Sequence, residues 1–298
     1  MDNFLIDPHN HFAVLLTLMV VVWGAGRVFK AIGLPPMLGE ILSGVLVGPA
    51  VLGLVELGEG IELLAELGVF FLMFHSGLDT NIREFVARSK SSTLIALAGM
   101  TPIILISYPI LRFLEVSVMT SAFLALLLAL NSIPVILSVL KTYKLKNKPA
   151  GHAVLGASVA NEIILFVMLS IILALAEKGQ ISGLEISLVA AKVLMFFGLT
   201  LLLGRLLLPV LAPYVLNRSG SKGFTFAMIV ALGFGVLAEV IGLHMVLGAY
   251  LAGMFVREEI TDDENLRKIE DRFYGLSHSF LGPVFFATVG LSVSLTDM

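Results

Sequence analysis

Apolar residues run along this chain in long, nearly unbroken stretches, separated by short clusters of polar and charged ones. The stretches are apolar all round rather than on one helical face, which is the pattern of helices buried in lipid. A helix needs about 20 mostly apolar residues to cross the hydrocarbon core. Ten stretches qualify, roughly 10–30, 36–54, 62–79, 91–113, 117–140, 150–176, 184–206, 223–241, 244–257 and 274–295, the ninth being short.

The polar clusters between them alternate in charge. Arg27 and Lys30 follow the first span, and Arg83, Arg88 and Lys90 the third. Lys141, Lys144, Lys146 and Lys148 follow the fifth, Arg218 and Lys222 the seventh, and Arg257, Arg267, Lys268 and Arg272 the ninth. The loops between carry mainly Glu56, Glu59, Glu115, Glu177 and Glu185, with Arg112 and Lys178 as basic exceptions. Cytoplasmic loops are enriched in Lys and Arg, so the N-terminus is expected outside and ten crossings return the C-terminus there. Dropping the ninth span would break the alternation. The mixed-charge run from Arg257 to Arg272 reads as a solvated cytoplasmic loop.

Composition narrows the class. Of 298 residues, 58% are hydrophobic and only 14% charged, against about 25% charged in soluble domains. A polytopic, all-α membrane protein whose first partner is the lipid bilayer is expected. The net charge of −3 changes nothing here. There is no cysteine, hence no disulfide and no thiolate metal site. The first residues, Met1 to Asp7, lack the positive region of a signal peptide, so the first span is read as a retained helix. No zinc spacing, Walker loop or nucleophile elbow is present. Neither an enzyme, nor a bound cofactor, nor a nucleic-acid partner is therefore expected.

The chain also repeats itself. The second span reads Met37-Leu-Gly-Glu-Ile-Leu-Ser-Gly-Val-Leu-Val47 and the ninth Val246-Leu-Gly-Ala-Tyr-Leu-Ala-Gly-Met-Phe-Val256, so Gly39 and Gly44 match Gly248 and Gly253. The third span carries Leu67-Gly-Val-Phe-Phe71 and Gly77-Leu78, and the tenth Leu281-Gly-Pro-Val-Phe-Phe286 and Gly290-Leu291. The charge pattern threads matched spans in opposite directions, as inverted-topology repeats of secondary transporters do. Small residues spaced for close helix contact are the bland alternative. On the repeat reading, one transporter domain spans 1–298, with a first unit over about 36–176, a linker helix over about 184–206, and a second unit that begins near 244 and is cut off after two spans. Counterparts of three helices are missing, so the sequence reads as a fragment.

Polar residues inside the apolar runs locate the candidate chemistry. Asn161 and Glu162 sit near the middle of the sixth span. A carboxylate there costs at least a few kcal/mol in hydrocarbon and is by default a functional candidate. The fifth span contains Ala129-Leu-Asn-Ser-Ile-Pro-Val135, and Pro134 breaks a helix by removing a donor and clashing with the preceding turn. Asn131 lies about 15 Å and Glu162 about 18 Å from the inner face at the helical rise. A broken helix and a buried acid thus share one depth, as in ion sites built on discontinuous helices. Desolvation favours a proton on such a carboxyl, and its ionised form is a hard ligand for Na⁺ or K⁺. Proton and cation would compete for Glu162, the transient metal ligand, with Asn161 offering an amide oxygen. One charge swapped for one would be electroneutral. A buried acid hydrogen-bonded to a neighbouring helix remains the alternative for Glu162, and repair of the kink the alternative for Asn131 and Ser132. Glu40, one turn into the second span, either draws cations into a funnel or favours its helix N-terminus. Lys192 and Glu239 read as interfacial, and His75 and His278 as structural histidines or proton relays.

These residues resemble a known family. Leu34-Pro-Pro-Met-Leu-Gly-Glu-Ile-Leu-Ser-Gly-Val-Leu-Val-Gly-Pro49, Leu78-Asp79, the broken fifth span, Leu155-Gly-Ala-Ser-Val-Ala-Asn-Glu162 and Leu247-Gly-Ala-Tyr-Leu-Ala-Gly253 resemble the monovalent cation:proton antiporter superfamily, and within it the bacterial sodium/proton and potassium/proton exchangers. The resemblance implies a core domain holding the ion site, a dimerisation domain and hence a homodimer, an elevator-like movement, and a bacterial or archaeal plasma membrane. Asn161 and Glu162 match the acidic pair of that family, where electroneutral members carry Asn-Asp; Glu for Asp is a departure. A sodium-coupled organic-anion symporter and a non-transporting remnant or sensor are the rival readings.

Overall fold

The computed structural model describes residues 11–78, 80, 89–146, 148–178, 183–215, 221–259 and 263–293. Among them every regular element is helical. In order these are α1 (His11–Ala31), α2 (Pro36–Val47), α3 (Glu59–Leu78), α4 (Ser89–Phe113), α5 (Val118–Leu128), α6 (Ile133–Thr142) and α7 (Pro149–Lys178). Then α8 (Gly183–Leu202) runs through a π-turn (Leu203–Leu207) into α9 (Leu208–Val215). After α10 (Ser221–Ile241) and α11 (Met245–Glu259), α12 (Asp263–Leu276) runs through a second π-turn (Ser277–Leu281) into α13 (Gly282–Leu291). Asp79 and the basic residues Arg83, Arg88 and Arg218 lie outside the described residues.

Each expected span meets a helix, with three differences. The second stops at Val47, because Gly48 turns extended and Pro49 follows. The fifth is two helices rather than one. The run read as a solvated loop is largely α12, an amphipathic helix. Its charges hide a stripe, Leu266, Ile269 and Phe273, at helical spacing. Phe273 is fully buried, its ring centroid 4.6 Å from that of Phe74 and 4.6 Å from that of Phe224. That aromatic burial fixes the chain as a helix before it enters the membrane.

Five stretches of the described residues are long and apolar enough to cross a membrane unaided: Phe12–Ala31, Glu59–Leu78, Lys90–Phe113, Ala191–Leu211 and Gly223–Ile241. The shorter helices pack against these. One group is a panel in which α1 lies on α2, α2 on α13, α13 on α3, α3 on α11 and α11 on α10. The other is a bundle of α4, α5, α6 and α7, with α4 packed along α7. The groups meet where α6 touches α3, and the chain passes between them where α7 touches α8. Exposed apolar residues such as Phe12, Trp23, Leu105, Phe113 and Leu194 lie on the outside, as a lipid-facing surface requires.

Two helix crossings in the panel are alike. A Cβ on Gly77 of α3 would lie 2.1 Å from the Tyr250 carbonyl oxygen of α11, and one on Gly290 of α13 would lie 2.1 Å from the Ile41 carbonyl oxygen of α2. Their partners Gly253 and Gly44 are as tight, at 2.2 Å from the Phe74 oxygen and 2.0 Å from the Ala287 oxygen. Only glycine admits backbones this close, which is how helices associate when lipid removes the hydrophobic drive between them.

Candidate functional site

The site begins at the break between α5 and α6. Pro134 has no N–H to return to the Leu130 carbonyl, and its ring would clash there. The helix therefore ends at Leu128, residues 129–132 are non-helical, and α6 starts at Ile133. The gap leaves backbone groups without intrahelical partners, and inside a membrane these must be satisfied from elsewhere.

Asn161 of α7 satisfies two of them. Its Nδ2 donates to the Ala129 carbonyl oxygen at 3.2 Å, and its Oδ1 accepts from the Asn131 N–H at 3.2 Å. Asn161 is fully buried, as is Ala129. One amide thus bridges both sides of the break, a task that needs donor and acceptor on the same side chain. The end of α5 presents the negative pole of its helix and the start of α6 the positive pole of its own.

A cavity of about 880 Å³ reaches this break. Asn131 and Ser132 line it, together with Val69 of α3, Leu165 of α7 and Phe285 of α13. Around it stand Glu62 and Glu66 of α3, Glu239 of α10, and His244 in the turn before α11. The walls are largely apolar and the charged lining is acidic, so the low-dielectric walls focus a field that draws in cations.

The opposite end is closed by a basic and aromatic cluster. Lys141 Nζ and His278 Nε2 are 2.7 Å apart, and His278 Nδ1 lies 2.8 Å from Ser277 Oγ. Tyr274 stacks on His278 at 4.6 Å, and the His75 ring is 5.0 Å from it. Lys141 also sits 5.9 Å above the Tyr274 ring.

The residues singled out from sequence fall as follows. Asn131, Ser132 and Asn161 come together at the break. Glu162 follows Asn161 in α7, but its side chain lies outside the described residues, as does that of Pro134 at the start of α6. Helical spacing puts position 162 one turn before the cavity-lining Leu165. Glu40 stands apart, half-buried on α2 where a Cβ on Gly26 of α1 would lie 3.4 Å from its carboxylate. Lys192 is exposed on α8. Glu239, read as interfacial, lines the cavity. Glu62, Glu66 and His244 were not singled out, although Glu59, Glu62 and Glu66 recur at helical spacing along the opening turns of α3. Read singly, they look like ordinary charges at a helix N-terminus.

Residues 14–298 match the family model described as "Sodium/hydrogen exchanger, transmembrane". The chain is 26% identical over 281 residues to the probable Na(+)/H(+) antiporter GerT of Bacillus cereus, with 94% of this chain and 73% of the relative aligned. It is 28% identical to an Na(+)/H(+) antiporter of Enterococcus hirae, over 95% of this chain and 73% of the relative. It is 26% identical to the Na(+)/H(+)-K(+) antiporter GerN of Bacillus cereus, over 91% of this chain and 68% of the relative. Among solved structures it is similar to the sodium proton antiporter MjNhaP1 of Methanocaldococcus jannaschii, with a TM-score of 0.61 over 96% of this chain and 71% of that one. At 15% identity that likeness bears on the fold.

Proposed function

Since the chain belongs to the sodium/hydrogen exchanger family, we propose that it is an integral membrane transporter exchanging a monovalent cation, Na⁺ or K⁺, for H⁺, with both competing for Glu162. The observation that carries this reading is the Asn161 bridge. It holds the unwound backbone of the fifth span against α7, one residue from Glu162, at the floor of a cavity with an acidic lining. A cation entering there would meet Asn131 and Ser132, with position 162 on the adjoining turn of α7. Asn161 carries no titratable charge, so one proton leaves as one cation binds, and exchange is electroneutral.

Charge assigns direction. The cavity opens among the ends of α3, α10, α11 and α13 that border the acidic loops, and Lys141 marks the basic end. The positive-inside rule makes the basic end cytoplasmic. The N-terminus is then outside and the cavity faces outward, in a bacterial or archaeal plasma membrane. The like crossings of Gly77 on α11 and Gly290 on α2 support an inverted repeat relating α2–α3 to α11–α13. The working unit is a homodimer on this reading, as the family resemblance implies. Glu62, Glu66 and Glu239 argue against organic-anion symport, because they repel an anion at the mouth.

The test is exchange in proteoliposomes. Adding Na⁺ or K⁺ outside acid-loaded vesicles should dissipate the proton gradient without generating a membrane potential. Full activity in Glu162→Ala would remove the carrier assignment. Inactivity of the unaltered chain would favour a non-transporting protein.

A further inference from the structure

The Lys141–His278 contact joins the two halves of the protein. Lys141 lies in the last turn of α6, the second half of the broken helix, and so belongs to the bundle. His278 lies in the π-turn between α12 and α13, and so belongs to the panel. The pair sits at the end opposite the open cavity. The Lys141 ammonium can only donate, so His278 Nε2 accepts and Nδ1 carries the hydrogen toward Ser277 Oγ. Ser277 is fully buried and its hydroxyl donates to the Phe273 carbonyl oxygen at 2.6 Å, which fixes the imidazole from below. Tyr274 stacks on one side of it and the buried His75 of α3 approaches from another. Lys146, in the loop after α6, is the other cation near His278. The π-turn, a departure from α-helical register of the kind found at functional sites, carries both Ser277 and His278.

The geometry points to Lys141 and His278 as a latch that holds the cytoplasmic end of α6 against the panel while the opposite cavity is open. This rests on the exchange reading above, in which the break must become accessible from the second side. For that to happen, the inner end of α6 has to part from the π-turn, and this contact must break in every cycle. Lys141 and His278 touch neither cation nor carrier. They are positioning residues that set how the protein divides its time between outward- and inward-facing states.

Population arithmetic gives the signature. A ligand that binds one state has an apparent affinity reduced by the fraction of protein in that state. Lys141→Met should therefore raise KM for external cation and lower KM for internal cation, the internal value moving by the larger factor because the inward-facing fraction starts smaller. Lys141→Arg keeps a donor at this position and should return both toward normal. A purely structural role would lower the maximal rate from both sides together and leave the two KM values in their original ratio; that outcome overturns the proposal.

A second experiment carries its own folding control, the exchange of the same variant before it is tethered. The chain has no cysteine, so a Lys141→Cys, His278→Cys double variant carries two unique thiols. A short bifunctional methanethiosulfonate reagent forms a disulfide to each, releasing two sulfinates, and tethers α6 to the π-turn. Exchange in proteoliposomes should stop on tethering, continue after the monofunctional reagent, and return when a thiol reductant cleaves the bridge. Continued exchange by fully tethered protein overturns the latch while leaving the antiporter reading intact. If the unaltered chain exchanges no cation at all, the antiporter reading fails first and the latch falls with it.

Discussion

Asn161→Ala separates a structural bridge from an ion ligand. The substitution deletes the donor to the Ala129 oxygen and the acceptor for the Asn131 N–H, each at 3.2 Å. A hydrogen bond of this kind contributes about 0.5–1.5 kcal/mol net, and an unpaired buried group costs about 1–3 kcal/mol. The Ala129 side is fully buried, whereas Asn131 faces the cavity, where water can replace the lost acceptor. The expected loss is thus about 2–4 kcal/mol, most of it from the stranded carbonyl. At about 2–4 °C per kcal/mol, the thermal midpoint in detergent should fall by roughly 4–16 °C. Exchange should fall as well, because the backbone on the cation's path is no longer held; a displacement of about 1 Å can cost a hundredfold in rate. The comparison variant is Asn161→Asp. It keeps the acceptor for Asn131 but turns an acceptor toward the Ala129 oxygen, so it should be at least as unstable as the alanine variant unless it binds a proton. The two readings predict opposite pairings of stability and affinity. A ligand role would leave the midpoint unchanged, or raise it by removing a buried polar group, and would raise KM for the cation. That result, an intact midpoint with weakened cation affinity, would refute the bridge.

Further outcomes follow from the same geometry. Glu162→Gln should abolish exchange, while Glu162→Asp should retain it with altered preference between Na⁺ and K⁺, read as the ratio of the two KM values in vesicles. Glu62→Gln together with Glu66→Gln should raise KM for external cation a few-fold at low ionic strength, and the effect should fade near 1 M salt, where the screening length is about 3 Å. Gly77→Ala drives a methyl to within 2.1 Å of the Tyr250 oxygen and must separate α3 from α11. It should cost about 3 kcal/mol or more and lower yield and thermal midpoint. Gly99→Ala, with nothing within 4 Å, is its control and should be neutral or stabilise α4 by up to about 1 kcal/mol.

How much of this could be read from sequence depends on the range of the interaction. The helices follow from the apolar runs, because lipid imposes length and composition on each span separately. The break follows from Pro134, whose effect is local. The meeting of Asn131 with Asn161 was legible only as equal depth. Depth is one coordinate, and the direction in which Asn161 points is set by how α7 packs against α5 and α6. The structure adds a use for it: the amide oxygen that sequence offers to a cation also accepts from the Asn131 N–H. The acidic cavity lining was hidden because Glu62 and Glu239 lie far apart in the chain and are joined only by the stacking of α3, α11 and α10. The helix α12 was hidden because its charges outweigh an apolar stripe that matters only once Phe74 and Phe224 are there to receive it.

The position of the bridge also bears on how binding could be felt by the rest of the protein. Successive residues on a helix point about 100° apart. With Asn161 committed to the break, position 162 faces a neighbouring sector of α7, and Leu165 one turn on lines the cavity. Position 162, the carrier under the proposed exchange, and the unwound backbone are consequently tied to the same helix turn. Under that reading, a rearrangement on filling or emptying position 162 reaches the break through the Asn161 amide as well as through the packing of α7 on α5 and α6. From there α6 runs only from Ile133 to Thr142, packed on the panel through Leu137 and Leu140 and contacting it at its far end through Lys141. Under the proposed exchange, this ten-residue helix has the ion site at one end and the Lys141–His278 contact at the other, and a helix that short moves as one body. Breaking the fifth span then shortens the lever between site and contact, besides opening backbone toward the cavity. An unbroken span would carry the same contact but would have no helix end at the cavity for a cation to act on.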